Sequence, residues 1–354
     1  VFMTLVLRPA RPDDLSHIYQ MAKSTGGGFT NLPPDRRALR ARLERAAKSF
    51  EREGDTLADD LYFFVLEDSA SGEIAGTCQI FSKIGSTWPF YSYRIDTLTQ
   101  YSRKLDRTFR AELLSLTTDL DGASEVGGLY LMPTARSAGT GALLARGRYL
   151  FIAMHRARFA DRTIAELRGS HDEMGGSAFW DAVGGRFFGM SFREADDFNA
   201  VNGNQFIADL MPKHPLYIAM LPESARTVIG VPHQSGRPAL RMLEREGFVY
   251  ERYIDIFDGG PTVICPTDRI DTIQQAATMP VVAVKPQVGD GIVSLVAHGR
   301  LGDFRAACGT VRMADGGVVL DEEVSRAIGA NVGGIGRAAV LRQKVYFVGD
   351  GVEL

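Results

Sequence analysis

Residues 133–159 read PTARSAGTGALLARGRYLFIAMHRARF, a small-residue turn with one arginine and two glycines placed immediately before a run of helical periodicity. Leu143, Leu144, Tyr149, Ile152 and Ala153 fall at spacings that put them on a sheet-facing helix surface. The first backbone N–H groups of a helix have no internal acceptors, and the aligned peptide dipoles leave partial positive charge there. Arg136, Gly139 and Gly141 form R-x-x-G-x-G at that end. Glycines let a backbone close around a pyrophosphate without side-chain obstruction, and a guanidinium adds direct charge. As bare spacing the pattern is weak, and it more often marks a flexible turn that caps an ordinary helix. Two other phosphate motifs do not apply. A P-loop needs G-K-[ST], and the dinucleotide fingerprint needs G-x-G-x-x-G after the first strand of a βαβ unit.

The flanking sequence places that turn in a mainly antiparallel context. TLVLRPA (residues 4–10) reads as a strand, followed by a helix with Leu15, Ile18 and Ala22 in register. A second, amphipathic helix is expected over 35–53, with Leu39, Leu43, Ala47 and Phe50 on one stripe. LYFFVLED (61–68) and EIAGTCQIF (73–81) read as a hairpin, and the aromatic stretch after them shows no regular period. SEVGGLYLM (124–132) is a strand leading into the glycine turn, with Gly127 and Gly128 suited to a bulge or a mere bend. TIAELRG (163–169) is a strand and SAFWDAVGGRFF (177–188) a short helix. Further on, QFIADLMP (205–212) reads as a strand, PESARTVIG (222–230) and GRPALRMLEREGF (236–248) as helices, and VYERYIDIF (249–257) as a strand. FWDAVGGRFFGMSF and RMLEREGFVYERYIDIF both read helix, glycine, phenylalanine, strand, which is compatible with an old duplication. From about residue 275 short runs of Val, Ala and Ile separated by Gly and Pro suggest a small β module containing a helical turn at 321–330.

With 354 residues the chain is long enough for two or three domains. Its 45% hydrophobic and 23% charged residues are those of an ordinary globular protein, and a formal charge of −3 gives no electrostatic reason to expect nucleic acid or an anionic membrane as partner. No run approaches the ~18 apolar residues of a membrane span. Cys78, Cys265 and Cys308 lie far apart without a C-x-x-C pair, which suits free thiols in a reducing, cytoplasmic setting. Cys78 alternates with other strand residues and reads as core rather than as a nucleophile. Trp88, Trp180, Phe187 and Phe188 read as packing residues, and His171 with its neighbouring acids lacks the ligand count of a metal site.

The strand, glycine turn and helix, in this order, resemble the acyl-coenzyme A dependent N-acyltransferase (GNAT) fold. Six segments in one order, KSTGGGFTNLP, FVLEDS, AELRGS, FWDAVGGRFF, ADLMPKHP and YIDIFDGGPT, resemble the arginine N-succinyltransferase family over residues 5–269. The resemblance implies an α+β chain: tandem GNAT-like halves at 1–195 and 196–280, with mixed, mainly antiparallel sheets, and a small β-barrel-like module at 281–354. It implies succinyl transfer from succinyl-CoA to the α-amine of L-arginine by direct attack, with no metal. Homo-oligomers, or heteromers with a paralogous subunit, are the implied assemblies. An ornithine-preferring or other-amine acyltransferase, or a non-catalytic CoA-binding subunit, stays open.

Residue by residue, the resemblance implies that Arg136, Ser137, Ala138, Gly139, Thr140 and Gly141 cradle the pyrophosphate of coenzyme A. The main chain at Leu129 would meet the acyl donor, and His233 in GVPHQSG would act as proton donor. A histidine titrates near neutrality and suits that role, although without the resemblance a loop histidine is more often a surface residue. Arg94, Arg168, Lys213 and His214 are candidates for carboxylates of the substrates, because guanidinium and ammonium groups pair with them. Glu125, Asp172, Glu173, Asp255 and Asp258 are the acids available to a guanidinium, and spacing does not rank them.

Overall fold

Two apolar runs, residues 61–68 and 74–81, anchor the architecture because neither alternates: nearly every side chain in both is buried. Such strands need cover on two faces. The computed structural model describes residues 5–24, 31–136, 139–172, 174–202, 205–332 and 337–341. Its strands are β1 (Leu5–Pro9), β2 (Leu61–Asp68), β3 (Ile74–Phe81), β4 (Ser92–Ser102), β5 (Arg107–Thr117), β6 (Ser124–Leu131), β7 (Arg162–Glu166), β8 (Leu216–Tyr217), β9 (Val249–Ile254), β10 (Pro261–Pro266), β11 (Ala276–Lys285), β12 (Ile292–His298), β13 (Arg305–Ala314), β14 (Gly317–Asp321) and β15 (Arg337–Leu341). They pair in the order β12-β15-β11-β14-β13-β1-β2-β3-β6-β7-β10-β9-β4-β5-β8. Among the described pairings, β6 with β7 and β11 with β14 are parallel and the rest antiparallel. Strand β12 pairs with β13 as well as β15, so the five C-terminal strands pair in a circuit that joins the larger sheet through β13 and β1.

Helices α1 (Leu15–Ser24), α2 (Arg36–Glu51) and α3 (Thr140–Met154) pack on the sheet. Helix α2 starts where Asp35 accepts a hydrogen bond from the Ala38 amide at 2.6 Å, an N-cap that satisfies one orphan donor. The α3 surface was expected to carry one apolar stripe, yet the helix is buried almost all round, from Leu143 to Ile152. The C-terminal strands β12 and β13 and the short helix Asp271–Gln275 also pack on it, which accounts for the second apolar side. Phe151 is the hub of this core. Its ring lies 4.8 Å from Tyr62, 5.0 Å from Phe64, 6.0 Å from Phe50 and 5.1 Å from Phe304, mostly edge to face. Phe304 precedes β13, so this contact ties the C-terminal strands to the rest.

Several local readings are corrected. Residues 205–210 form a helix, not a strand: Phe206 and Leu210 are four apart, and a six-residue apolar run does not by itself separate the two periods. The segment after Gly189 is also a helix, Phe192–Asn202. Its start carries a capping box: the Ser191 hydroxyl accepts from the Glu194 amide at 3.3 Å, and the Glu194 carboxylate accepts from the Ser191 amide at 2.8 Å. The aromatic stretch judged irregular is the long hairpin β4–β5, paired from Ser92–Thr117 to Ser102–Arg107. Its outer half is solvent-exposed, which erased the hydrophobic alternation. Trp180 is fully buried, stacked on Phe188 and Phe257, whereas Trp88 and Phe187 are each 47% exposed and are not core residues. Cys78 is core, as read.

Truncating the aromatic hub tests this account of the core. Phe151→Ala should lower unfolding free energy by about 3–5 kcal/mol, the usual cost of a large buried cavity. Urea denaturation would show it, and a change below 1 kcal/mol would contradict the hub role.

Candidate active site

The site forms where two parallel strands part. Strands β6 and β7 pair at only two positions, Ser124 with Thr163 and Glu125 with Ile164, and then separate. On its other edge β6 pairs with β3, but the register jumps from Gln79–Gly127 to Thr77–Tyr130, so one extra residue is accommodated. This is the bulge that the paired glycines suggested. Gly128 has φ +57°, and a Cβ there would lie 2.8 Å from the Gln79 side-chain nitrogen, so a side chain is opposed by both backbone and space. Leu129 lies outside the ladder pairs on both edges. Its side chain packs on the main core while its main chain borders the gap.

Downstream, the chain passes through a 3-10 turn at Pro133–Ala135 into α3. Arg136 is exposed and its Nε donates to the Leu131 carbonyl at 3.4 Å. Gly139 takes φ +89° at the helix start without any side-chain cap, and a Cβ on Gly141 would meet nothing within 4 Å. Thr140 is buried; Ser137 and Ala138 lie outside the described residues.

His233 sits on a loop docked against the end of β7. Its amide donates to the Arg168 carbonyl at 2.8 Å, and Pro232 bridges to Gly169. The Nδ1 atom accepts from the Ser235 amide at 3.2 Å and lies 2.7 Å from the Ser235 hydroxyl. In the neutral ring the proton is therefore on Nε2. Burial, and then the nearby Arg168 charge, push the imidazole below its ordinary value. The His171 ring lies 6.2 Å away. Arg168 Nε donates to His171 Nδ1 at 2.8 Å, leaving the Nε2 proton of His171 facing Asp258 Oδ2 at 3.6 Å. Burial lowers His171 to about 4, so it stays neutral at ordinary pH.

Beside these rings four carboxylates share one recess. Glu125 accepts from the Asn31 side chain at 3.2 Å. Asp255 accepts from the Phe257 and Asp258 amides at 2.7 and 2.8 Å, and Asp258 from the Gly169 and Gly260 amides at 2.7 and 2.8 Å. Glu166 ends β7. It shares a sheet face with Glu125, because Glu125 is level with Ile164, two residues earlier on β7. Burial first and mutual repulsion second raise Glu166 and Asp258 well above the carboxylate range and lift Glu125 to about 7. Glu166 and Asp255 sit deep among protein atoms yet keep a partial opening to solvent, as the lining of a cleft does. Among the described residues no group of three or more His, Cys, Asp or Glu side chains is arranged to hold a metal ion.

The remaining candidates stand apart from this recess. Arg94 is engaged by Asp96 at 2.8 Å and Asp119 at 2.5 Å. Lys213 and His214 are exposed beside β8, the strand at the far edge of the sheet. Asp172 turns back on its own loop, accepting from the Met174 and Gly176 amides, and Glu173 lies outside the described residues. Two shallow surface clefts, one around Glu112, Tyr250 and Arg252 and one around His298, Arg305 and Arg326, include none of the residues described above. Sequence reading passed over Glu166, Asn31 and Arg42, whose guanidinium donates to the Asn31 carbonyl at 3.2 Å and lowers the Glu125 carboxyl by its charge. An acid at the end of the apolar strand TIAE was the available signal for Glu166.

Comparison with known proteins decides the family. A model for the arginine N-succinyltransferase beta subunit matches residues 5–272, and one for its C-terminal domain matches 277–333. The chain belongs to the arginine N-succinyltransferase beta subunit family. It is 43% identical over 302 residues to an arginine N-succinyltransferase of Citrobacter koseri, covering 85% of this chain and 88% of the relative. It is 40% identical over 329 residues to one from Escherichia coli, covering 93% and 95%. The solved arginine/ornithine succinyltransferase subunit AI of Pseudomonas aeruginosa superposes with a TM-score of 0.87 at 36% identity, covering 96% of this chain and 99% of that one.

The recess makes stability depend on pH with a definite sign. A carboxyl raised from 4.5 to about 7, as Glu125 is, binds more protons in the folded than in the unfolded chain between those values, so its contribution to stability grows as pH falls through that window. Neutral His171 acts oppositely between 6.5 and about 4, where the unfolded imidazole takes up the extra proton. Glu166→Gln removes one of the repelling charges. Its thermal midpoint should rise relative to wild type at pH 8 and change little at pH 5; an equal shift at both would show that the acids do not repel.

Proposed function

We propose that this chain transfers the succinyl group of succinyl-CoA to the α-amine of L-arginine by direct attack. The observation that carries the reading is the gap between β6 and β7, with an unpaired stretch of β6 main chain at Leu129 on one side and the His233 loop docked on the other. A thioester arm fits between parted strands because its amides find backbone partners there. The turn at Arg136, Ser137, Ala138, Gly139, Thr140 and Gly141 holds the pyrophosphate at the amino end of α3. The Leu129 amide meets the acyl carbonyl, where negative charge develops during attack.

The neutral amine forms the new C–N bond, the C–S bond breaks, and the departing sulfur takes a proton. His233 supplies it from Nε2 of the imidazolium, with Nδ1–H directed to the Ser235 hydroxyl 2.7 Å away. The neutral Nε2 left behind takes the proton that the attacking amine loses, which restores the imidazolium, so the products are succinylarginine and the free thiol of coenzyme A. This mechanism uses no covalent enzyme intermediate, and the buried Cys78, pushed up to about 12 by desolvation, is unsuited to form one.

Ornithine is the second acceptor we consider, because the Pseudomonas aeruginosa structure is described as an arginine/ornithine enzyme, and its designation as a subunit supports assembly with a further copy or a related chain. The three free thiols fit a reducing, cytoplasmic location, and among the described residues no helix is long and apolar enough to cross a membrane. Separate matches over 5–272 and 277–333 support a boundary near the start of β11, before the C-terminal unit.

Purified protein with succinyl-CoA should release coenzyme A thiol in an arginine-dependent manner, read with a thiol reagent. Binding of coenzyme A without that release would favour a non-catalytic subunit. His233→Ala should lower kcat by about 10²-fold or more while leaving succinyl-CoA affinity within a few-fold. Equal losses in both would contradict the donor role.

A further inference from the structure

The mechanism above gives no role to the four crowded acids Glu125, Glu166, Asp255 and Asp258, and buried polar groups beside them lack partners. Among the described residues no hydrogen-bond donor reaches the Glu166 carboxylate. Directly across the antiparallel pair, Thr262 faces Glu166, and its fully buried hydroxyl has no partner. His171, with a side chain only 2% exposed, points its unpartnered Nε2 at Asp258. A buried donor without an acceptor, beside a carboxylate without a donor, costs free energy that folding does not recover. The Thr262 hydroxyl meets this description beside Glu166, and the His171 Nε2 adds a second buried, unpartnered donor at the edge of the same group of acids.

Charge gives the occupant's class. Four carboxylates are faced by two guanidiniums: Arg42 beside Glu125, and Arg168 beside Asp258. Acids that are desolvated and crowded are driven toward their neutral forms unless a cation enters. Position gives the orientation. Glu166 and Gly127 each lie two residues beyond the last pair of β7 with β6, and Leu129 is two residues further along β6, a rise of about 7 Å. An extended basic amino acid with its α-amine at Leu129 places its side-chain cation beside the acids.

Resting on the acyl-transfer reading above, we propose that the recess of Glu125, Glu166, Asp255 and Asp258 receives the cationic side-chain end of the acceptor and selects for its charge, with Glu166 and the Thr262 hydroxyl contacting it. Glu166 pairs with the guanidinium or ammonium, and Thr262 completes its hydrogen bonding. Asp255 and Asp258, held by backbone amides, fix the shape of the recess and add field. Acceptors of the same length without the charge are rejected, because they leave the buried carboxylates unpaired.

The test compares L-arginine with L-citrulline, its uncharged isostere, on the full chain, by steady-state kinetics and by calorimetric binding. Wild type should favour arginine by about 100-fold or more in kcat/KM. Glu166→Gln should raise KM for arginine by about tenfold or more and leave citrulline unchanged, so that the preference collapses. Thr262→Val removes a hydroxyl that has no partner in the free protein, so it folds at least as well as wild type. It should nevertheless raise the arginine KM about threefold or more, the loss of one hydrogen bond. Turnover of arginine with an unchanged arginine-to-citrulline ratio in both variants would overturn the recess assignment and leave the acyltransferase reading intact. Calorimetric preference for arginine, lost in Glu166→Gln, in a protein that releases no thiol would do the reverse. Equal calorimetric binding of the two amino acids by wild type would overturn the recess assignment whatever the turnover.

Discussion

The site depends on a sheet that is interrupted where β6 and β7 separate after two pairs. Backbone donors and acceptors in a sheet interior need partners, so strands do not part without an arrangement that takes up the orphaned groups. Here the arrangement is local. The Gly128 carbonyl accepts from the Thr77 hydroxyl at 3.2 Å, and the Gly127 carbonyl from the buried Arg148 at 3.4 Å. Gln79, whose amide donates to the Asn31 carbonyl, fills the space that a side chain on Gly128 would need. The bulge therefore turns the main chain at Leu129 away from β3 without leaving its neighbours unsatisfied. Only a residue that tolerates a positive φ serves at its apex.

The same region holds charge that a stable core would avoid. Carboxylates crowded at the ends of β6, β7 and β9 repel one another and are costly to desolvate, whereas the region around Phe151 is close-packed and apolar. The two lie on opposite faces of the same strands. Ile164 and Ile264 stand on the recess side, and Ala165 and Val263 belong to the core beneath α3. A rigid, apolar layer on one face holds the strands in place so that the other face can carry unfavourable electrostatics. Local disfavour concentrated at one place in an otherwise consistent fold is the pattern expected of a functional site.

How much of this the sequence disclosed depended on how local each determinant is. The glycine turn before α3, the bulge at Gly127 and Gly128 and the apolar strands β2 and β3 rest on residues adjacent in the chain, and all were readable. The capping box at Ser191 and Glu194 was equally local but was overlooked beside a misleading apolar run. The recess was not readable. Its acids come from β6, the end of β7 and the turn after β9, and the strand order that brings them together leaves no mark on spacing. Asp172 looked as promising as Asp258 in the chain, yet one caps its own loop and the other faces His171. Arg94, attractive as a carboxylate ligand, is bound to acids from its own hairpin and the turn that follows. Hydrogen-bond partners of this kind are set by tertiary placement, so residue type alone did not separate the two sorts of charge.

The His233 loop and the recess are also one mechanical unit. Arg168 and Gly169 connect them: the Arg168 carbonyl holds the His233 amide, its side chain fixes the tautomer of His171, and the Gly169 amide binds Asp258. A Cβ on Gly169 would stand 2.5 Å from the Asp258 carbonyl oxygen and 2.7 Å from its carboxylate, so the strand end and the Asp258 turn approach as closely as backbone allows. Any shift of that turn moves both the imidazole and the acids. The His233 ring and the charged recess are thus positioned by the same few hydrogen bonds rather than by separate scaffolds, and their relative geometry is set by the end of β7. In such an arrangement the positions of the acids and of the His233 ring are not independent variables.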